Sequence, residues 1–135
     1  MLHSKHITVP ANTSASSPQI TRFKVNKGVM YRSYLNFPPG CAGLVQFRMS
    51  LEGSPILPVE KDAYIIGDGI VFEYPLYVEI AEEPMEIVIE TVNLDDTYDH
   101  SLDLQLLIVD KQWVLPVGAY EGIIAALKSI FTRRF

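Results

Sequence analysis

Along most of the chain, apolar and polar residues alternate with a period of two. This is the spacing by which a strand turns one face to a core and the other outward. In "LVQFRMSL" (44–51), Val45, Phe47, Met49 and Leu51 alternate with Leu44, Gln46, Arg48 and Ser50. Leu76, Val78 and Ile80 share a face of "LYVEIA". Met85, Ile87 and Ile89 oppose Glu86, Val88 and Glu90 in "MEIVIETV". Leu102, Leu104, Leu106 and Ile108 share a face of "LDLQLLIV". Further strands are expected at 5–9, 19–26 and 28–37. A short pair, "AYII" and "IVFEY", is joined by "GDG", where Gly67 and Gly69 would supply the positive φ of a tight hairpin.

Turn signals are dense: "SSP", "NKG", "FPPG", "GSP", "EYP", "EEP" and "LDD". Eight or nine short strands punctuated in this way predict an all-β, antiparallel β-sandwich of jelly-roll type. Its core is expected to include Val45, Phe47, Met49, Val78, Ile80, Ile87, Ile89, Leu104 and Leu106.

The period changes near the C-terminus. In "VGAYEGIIAALKSIFTRRF", Tyr120, Ile123, Ile124, Leu127, Ile130 and Phe131 recur at spacings of three and four. The spacing predicts one amphipathic helix over 118–133. The chain thus divides into a sandwich domain, 1–116, and a helical tail, 117–135. An isolated helix of this length is marginal in water, so its apolar stripe needs a partner. That partner is its own sandwich, a neighbouring subunit or, least favoured because the polar face is only modestly basic, a membrane surface. Leu107 and Val109 lie on the face of their strand opposite Leu104 and Leu106. With the helix residues they form the candidate interface of a homo-oligomer.

The 135 residues suit one domain, and 48% hydrophobic against 20% charged residues indicates a folded chain. The net charge of −5 hides a segregation. Residues 1–51 carry six bases and no acid, and residues 52–110 carry fifteen acids and one base. Residues 111–135 carry four bases and one acid. Either one part of the surface attracts another, or strands from both halves interleave and the charges mix in space. The acidic middle argues against nucleic acid. No apolar run reaches the ~20 residues of a membrane span. The first residues, "MLHSKHITVP", lack a signal-peptide core, so synthesis in the cytoplasm is expected.

Candidate chemistry is sparse. "NLDDTYDHS" (93–101) gathers Asp95, Asp96, Asp99 and His100, the only candidate metal ligands. Their spacing matches neither an EF-hand nor a zinc site. The preferred reading is a polar hairpin tip whose Asp and Asn side chains bond their own backbone, with no metal. Cys41 could be a nucleophile only with a base beside it, and a small residue after a turn is the simpler account. "IIGDGI" lacks the Lys-Ser/Thr of a phosphate loop. Tyr31, Tyr64, Tyr74, Tyr77, Tyr98 and Trp113 could build a glycan platform. Neither a cofactor nor an enzymatic activity is expected.

Several stretches carry a resemblance: "ITVPANTSASSP", "KGVMYRSYLNFPPGCAGLVQFRM", "IIGDGIVFEY" and "VNLDDTYDHSLDL". Over residues 5–110 this succession resembles small β-sandwich proteins encoded among the virion genes of tailed phages. It runs from an opening Val-Pro-Ala-Asn-Thr strand through a Phe-Pro-x-Gly-Cys turn and a polar hairpin to an Asn-x-Asp-Asp-Thr-Tyr-x-His loop. The resemblance implies a capsid decoration or other accessory subunit, found in the virion and partnered by itself and other virion proteins. A receptor- or glycan-binding module is the alternative. The C-terminal helix is not part of the shared pattern.

Overall fold

A computed structural model describes residues 1–113 and 123–130. Nine strands follow in order: β1 (Leu2–Val9), β2 (Gln19–Val25), β3 (Gly28–Phe37), β4 (Val45–Leu51), β5 (Ser54–Leu57), β6 (Ile65–Ile66), β7 (Ile70–Ile80), β8 (Met85–Asn93) and β9 (His100–Val109). A 3-10 turn, Lys111–Trp113, comes next. Residues 123–130 form a helix, α1.

The strands make two antiparallel sheets. One has the order β1-β9-β3-β7; the other has β2-β8-β4-β5, with β6 also on β4. This is the jelly-roll order, in which the chain passes repeatedly from sheet to sheet. The core lies between them. Val45, Phe47, Met49, Ile80, Ile87, Ile89, Leu104 and Leu106 are all buried in it, as the alternation predicts. Val78 is half-buried and packs against its margin.

Crossing between sheets overturns two local expectations. "GDG" is not a tight hairpin, because β6 pairs with β4 in one sheet and β7 with β3 in the other. Only Gly69 there has positive φ (60°). Gly67 is needed for space instead, since a Cβ on it would lie 2.8 Å from the Phe37 ring and 2.9 Å from that of Phe72. Likewise, 93–101 is not a hairpin tip, because β8 and β9 belong to different sheets. The tight hairpin is β4–β5, where Glu52 (φ 47°) and Gly53 (φ 84°) form the two-residue turn.

"EYP" does not end a strand either. β7 runs through Pro75, so "IVFEY" and "LYVEIA" are one strand. The missing N–H is tolerated because β7 ends its sheet and its register with β3 shifts here, between Met30 and Arg32. Its inward row is Phe72, Tyr74, Leu76, Val78 and Ile80. Phe72 meets Phe37 edge-on at 6.0 Å and stacks on Tyr74 at 5.8 Å.

At the opposite side β1 begins earlier than expected, at Leu2. His3 and Lys5 there lie over Phe23 of β2, with the Lys5 ammonium 4.8 Å from the ring centre. Of the predicted helix, 118–122 and 131–133, with Tyr120 and Phe131, lie outside the described residues.

Candidate functional site

The stretch 93–100 is a crossover tied to the loop after β1. Asn93, fully buried, donates from Nδ2 to the carbonyls of Val9 and Tyr98, both at 3.0 Å. Its Oδ1 accepts from the Asp95 amide at 3.0 Å. Backbone bonds join Thr13 and Asn93 in both directions at 2.9 Å, and the Asn12 amide reaches the Asp95 carbonyl at 2.8 Å.

The carboxylates serve the same structure. Asp95 Oδ1 accepts from the amides of Thr97 (2.9 Å) and Tyr98 (3.2 Å), and Oδ2 pairs with His100 Nε2 at 2.9 Å. Asp99 accepts from the Ala11 amide at 2.9 Å, and Asp96 from the Thr97 hydroxyl at 2.9 Å. The Thr97 amide above all, then His100, holds the Asp95 carboxyl below its ordinary pKa. So Asp95 and His100 meet, while Asp96 and Asp99 turn to other partners. Among the described residues no three His, Cys, Asp or Glu side chains gather as a metal-binding group.

Of the two readings of the segregated charge, the structure shows the interleaved one. Basic early strands lie beside acidic late ones. Arg48 pairs with Glu90 directly across β4 and β8, Arg32 with Glu73 across β3 and β7, and Arg22 with Glu86 at 2.8 Å. Lys111 reaches Glu79 at 2.8 Å. These pairs are partly or largely exposed and contribute little to stability individually.

Cys41 is buried in the core, and burial first, then Asp68, raises its thiol pKa. That is the environment of an inert cysteine. The aromatic candidates are dispersed. Tyr74 packs into the core margin, Tyr64 lies beneath the Arg48 guanidinium at 4.7 Å, and Tyr98 is exposed on the crossover. Tyr31 and Tyr77 are exposed at the β3–β7 register shift. The side chain of Trp113 is outside the described set.

What the sandwich leaves open is the flank where β5 and β7 face each other across the two sheets. β5 and β7 end the two strand paths there. A groove of about 460 Å³ lies between them, lined chiefly by Pro55, Ile56, Val59, Leu76, Tyr77 and Met85. Val59 is 71% exposed and Tyr77 56%. Ile66, Ile70 and Val71, also exposed, precede this stretch of β7 or begin it. A roomier recess, about 630 Å³, lies by Lys27, Glu79, Asp110 and Lys111. It is polar, and its Lys111 and Glu79 already pair with each other.

The interface candidates fall differently. Leu107 and Val109 are half-buried on the outer face of β9, an inner strand of its sheet. On α1, Ile123, Leu127 and Ile130 are 50, 50 and 55% exposed, and Ile124 is half-buried. The groove escaped sequence reasoning because Val59 and Pro55 lie in turn-rich sequence without periodicity. Its one legible signal was the run of apolar and aromatic residues through β7.

No protein-family model matches this chain, and no curated protein is similar enough in sequence to be matched with it. The fold itself defines the class: a β-sandwich of nine strands among the described residues, with a C-terminal helix.

Proposed function

We propose that this chain is a non-enzymatic building block of a tailed-phage virion, a capsid decoration or accessory subunit that docks through the flank between β5 and β7. The observation that carries the docking is the apolar groove beside an eleven-residue strand at the end of its sheet. A terminal strand offers unpaired backbone groups, and side chains such as Val59 and Tyr77 gain by leaving water. Jelly rolls serve capsids, lectins and other roles alike. The virion setting therefore rests on the sequence resemblance, and the docking on the flank.

The test is made on particles of a phage that encodes the chain. Gradient-purified virions are expected to contain it in a fixed ratio to the major capsid protein. Val59→Asp and Tyr77→Glu, both at exposed positions, are expected to leave a folded protein that is lost from particles. Absence of the unaltered chain from intact virions would refute the virion role. Normal incorporation of both variants would refute the flank.

A further inference from the structure

The chain has three histidines, and two of them face a carboxylate. His6 meets Asp103 at 2.6 Å, and His100 meets Asp95 at 2.9 Å. A charge on either ring is therefore answered by its partner. His3 has the opposite surroundings. It shares the Phe23 ring with the Lys5 ammonium. No carboxylate among the described residues pairs with His3 or Lys5. The other neighbours bring no free negative charge. Leu106 lies opposite His3 on β9, and the N-terminal amine donates to the Ile108 carbonyl. On β2, Arg22 is taken by Glu86, and Lys24 alternates with Phe23 on the exposed face.

β1 is also divided along its length. It ends its sheet and pairs with β9 alone. Its inner row begins with His3 and Lys5, both half-buried, and finishes with Ile7 and Val9 in the core. Side chains further secure the later half. Thr8 Oγ1 and Ser101 Oγ are 3.1 Å apart, Gln19 Nε2 donates to the Thr8 carbonyl at 2.9 Å, and Asn93 Nδ2 donates to the Val9 carbonyl. Residues 2–5 rely on their ladder with β9 and on the contact over Phe23.

We infer that residues 2–5 are an acid-released flap: protonation of His3 sets a second cation beside Lys5 over Phe23, and the segment lifts from β9 while residues 7–9 stay paired. The flap lies on the flank opposite the docking groove and does not depend on it.

Burial first, then the N-terminal amine and Lys5, holds the His3 pKa below its ordinary 6.5. With its ring in water, the lifted segment binds a proton more readily than the closed one. Closure is therefore fully favoured above 6.5 and weakens as pH falls from there to the folded value. Lifting frees backbone groups of Leu104 and Leu106 and uncovers Phe23. Over that stretch β9 becomes the edge of its sheet, open to a strand from another chain.

Hydrogen exchange on the full chain between about pH 8 and about pH 5 tests the flap. Rates are compared as protection factors, which removes the intrinsic pH dependence of exchange. The Ile108 amide bonds to the Met1 carbonyl. By alternation, His3 with Leu106 and Lys5 with Leu104 are hydrogen-bonded pairs of the earlier half, and Ile7 with Leu102 is one of the later half. Amides of His3, Lys5, Leu104 and Leu106 should lose protection severalfold on acidification, while those of Ile7 and Leu102 hold theirs. His3→Gln should remove the loss, and Lys5→Met should reduce it.

Three results would overturn the flap. One is equal protection of the earlier half at both ends of the pH range. Another is a loss shared equally by Ile7 and Leu102, which would mean that the strand or the whole sandwich opens as one unit. The third is an undiminished loss in His3→Gln, which would assign the titration to a different group.

Discussion

Replacing Asn93 with alanine should show whether the 93–100 crossover is a structural clamp. The amide makes three hydrogen bonds of 3.0 Å: two donated, to Val9 and Tyr98, and one accepted, from the Asp95 amide. Alanine leaves those three backbone groups without this partner in a site where Asn93 itself is fully buried. Each stranded group costs about 1–3 kcal/mol, while deleting the amide removes its own desolvation penalty. The net loss is about 2–4 kcal/mol. For a domain of this size that corresponds to roughly 10 °C in Tm.

Urea denaturation followed by far-ultraviolet circular dichroism measures it. The midpoint should fall with an unchanged slope, as it does when stability alone changes. A loss below about 0.5 kcal/mol, the scale of an ordinary surface substitution, would refute the clamp. A second arm addresses cations. Neither a chelator nor added calcium or zinc should move the melting temperature of the unaltered chain. A rise of several degrees with calcium, abolished in Asp95→Ala, would make the crossover an ion site.

Three further outcomes follow from single positions. The Asp95 carboxyl has a folded-state pKa below its ordinary 3.8, so its stabilisation is present above that value and lost as pH falls through the folded pKa. Asp95→Asn should flatten this acid limb in pH-dependent melts, and an unaltered limb would contradict the assignment. Gly28→Ala would place a Cβ 2.6 Å from the Val109 carbonyl oxygen, which is backbone and cannot swing aside. A loss of about 1–3 kcal/mol is expected in urea melts, and a gain would show that the strands can separate there. The Ser33 hydroxyl is fully buried and has no hydrogen-bond partner among the described residues. Ser33→Ala should stabilise by about 1 kcal/mol in the same melts, and a loss would reveal a bound water or a bond at that site.

The alternation of Val45, Phe47 and Met49 made their strand and its buried face legible, because burial of one face imposes a period of two. The same holds for Leu104 and Leu106. The pairing of strands was not legible from local turns. "GDG" and "LDD" have hairpin composition, but a crossover between sheets draws on the same residues: Gly67 for its lack of a side chain, and Asp95 for bonding nearby amides. Pro75 read as a terminator, since nothing local marks β7 as the end of a sheet. The charge segregation along the chain likewise turned into cross-strand pairs such as Arg48–Glu90 once strands of both halves met. The candidate groove was the least legible feature. Pro55, Val59 and Tyr77 come from three segments, and only the packing of two sheets brings them to one flank.

Hydrogen exchange tests the docking flank most directly, comparing the isolated chain at low micromolar concentration with the same chain in purified particles. Amides of 54–59 and 74–78 should gain protection in particles, while those of β1 and β2, on the far flank, should exchange alike in both. Protection gained on β1 and β2 with none at 54–59 and 74–78 would contradict assembly through the β5–β7 flank.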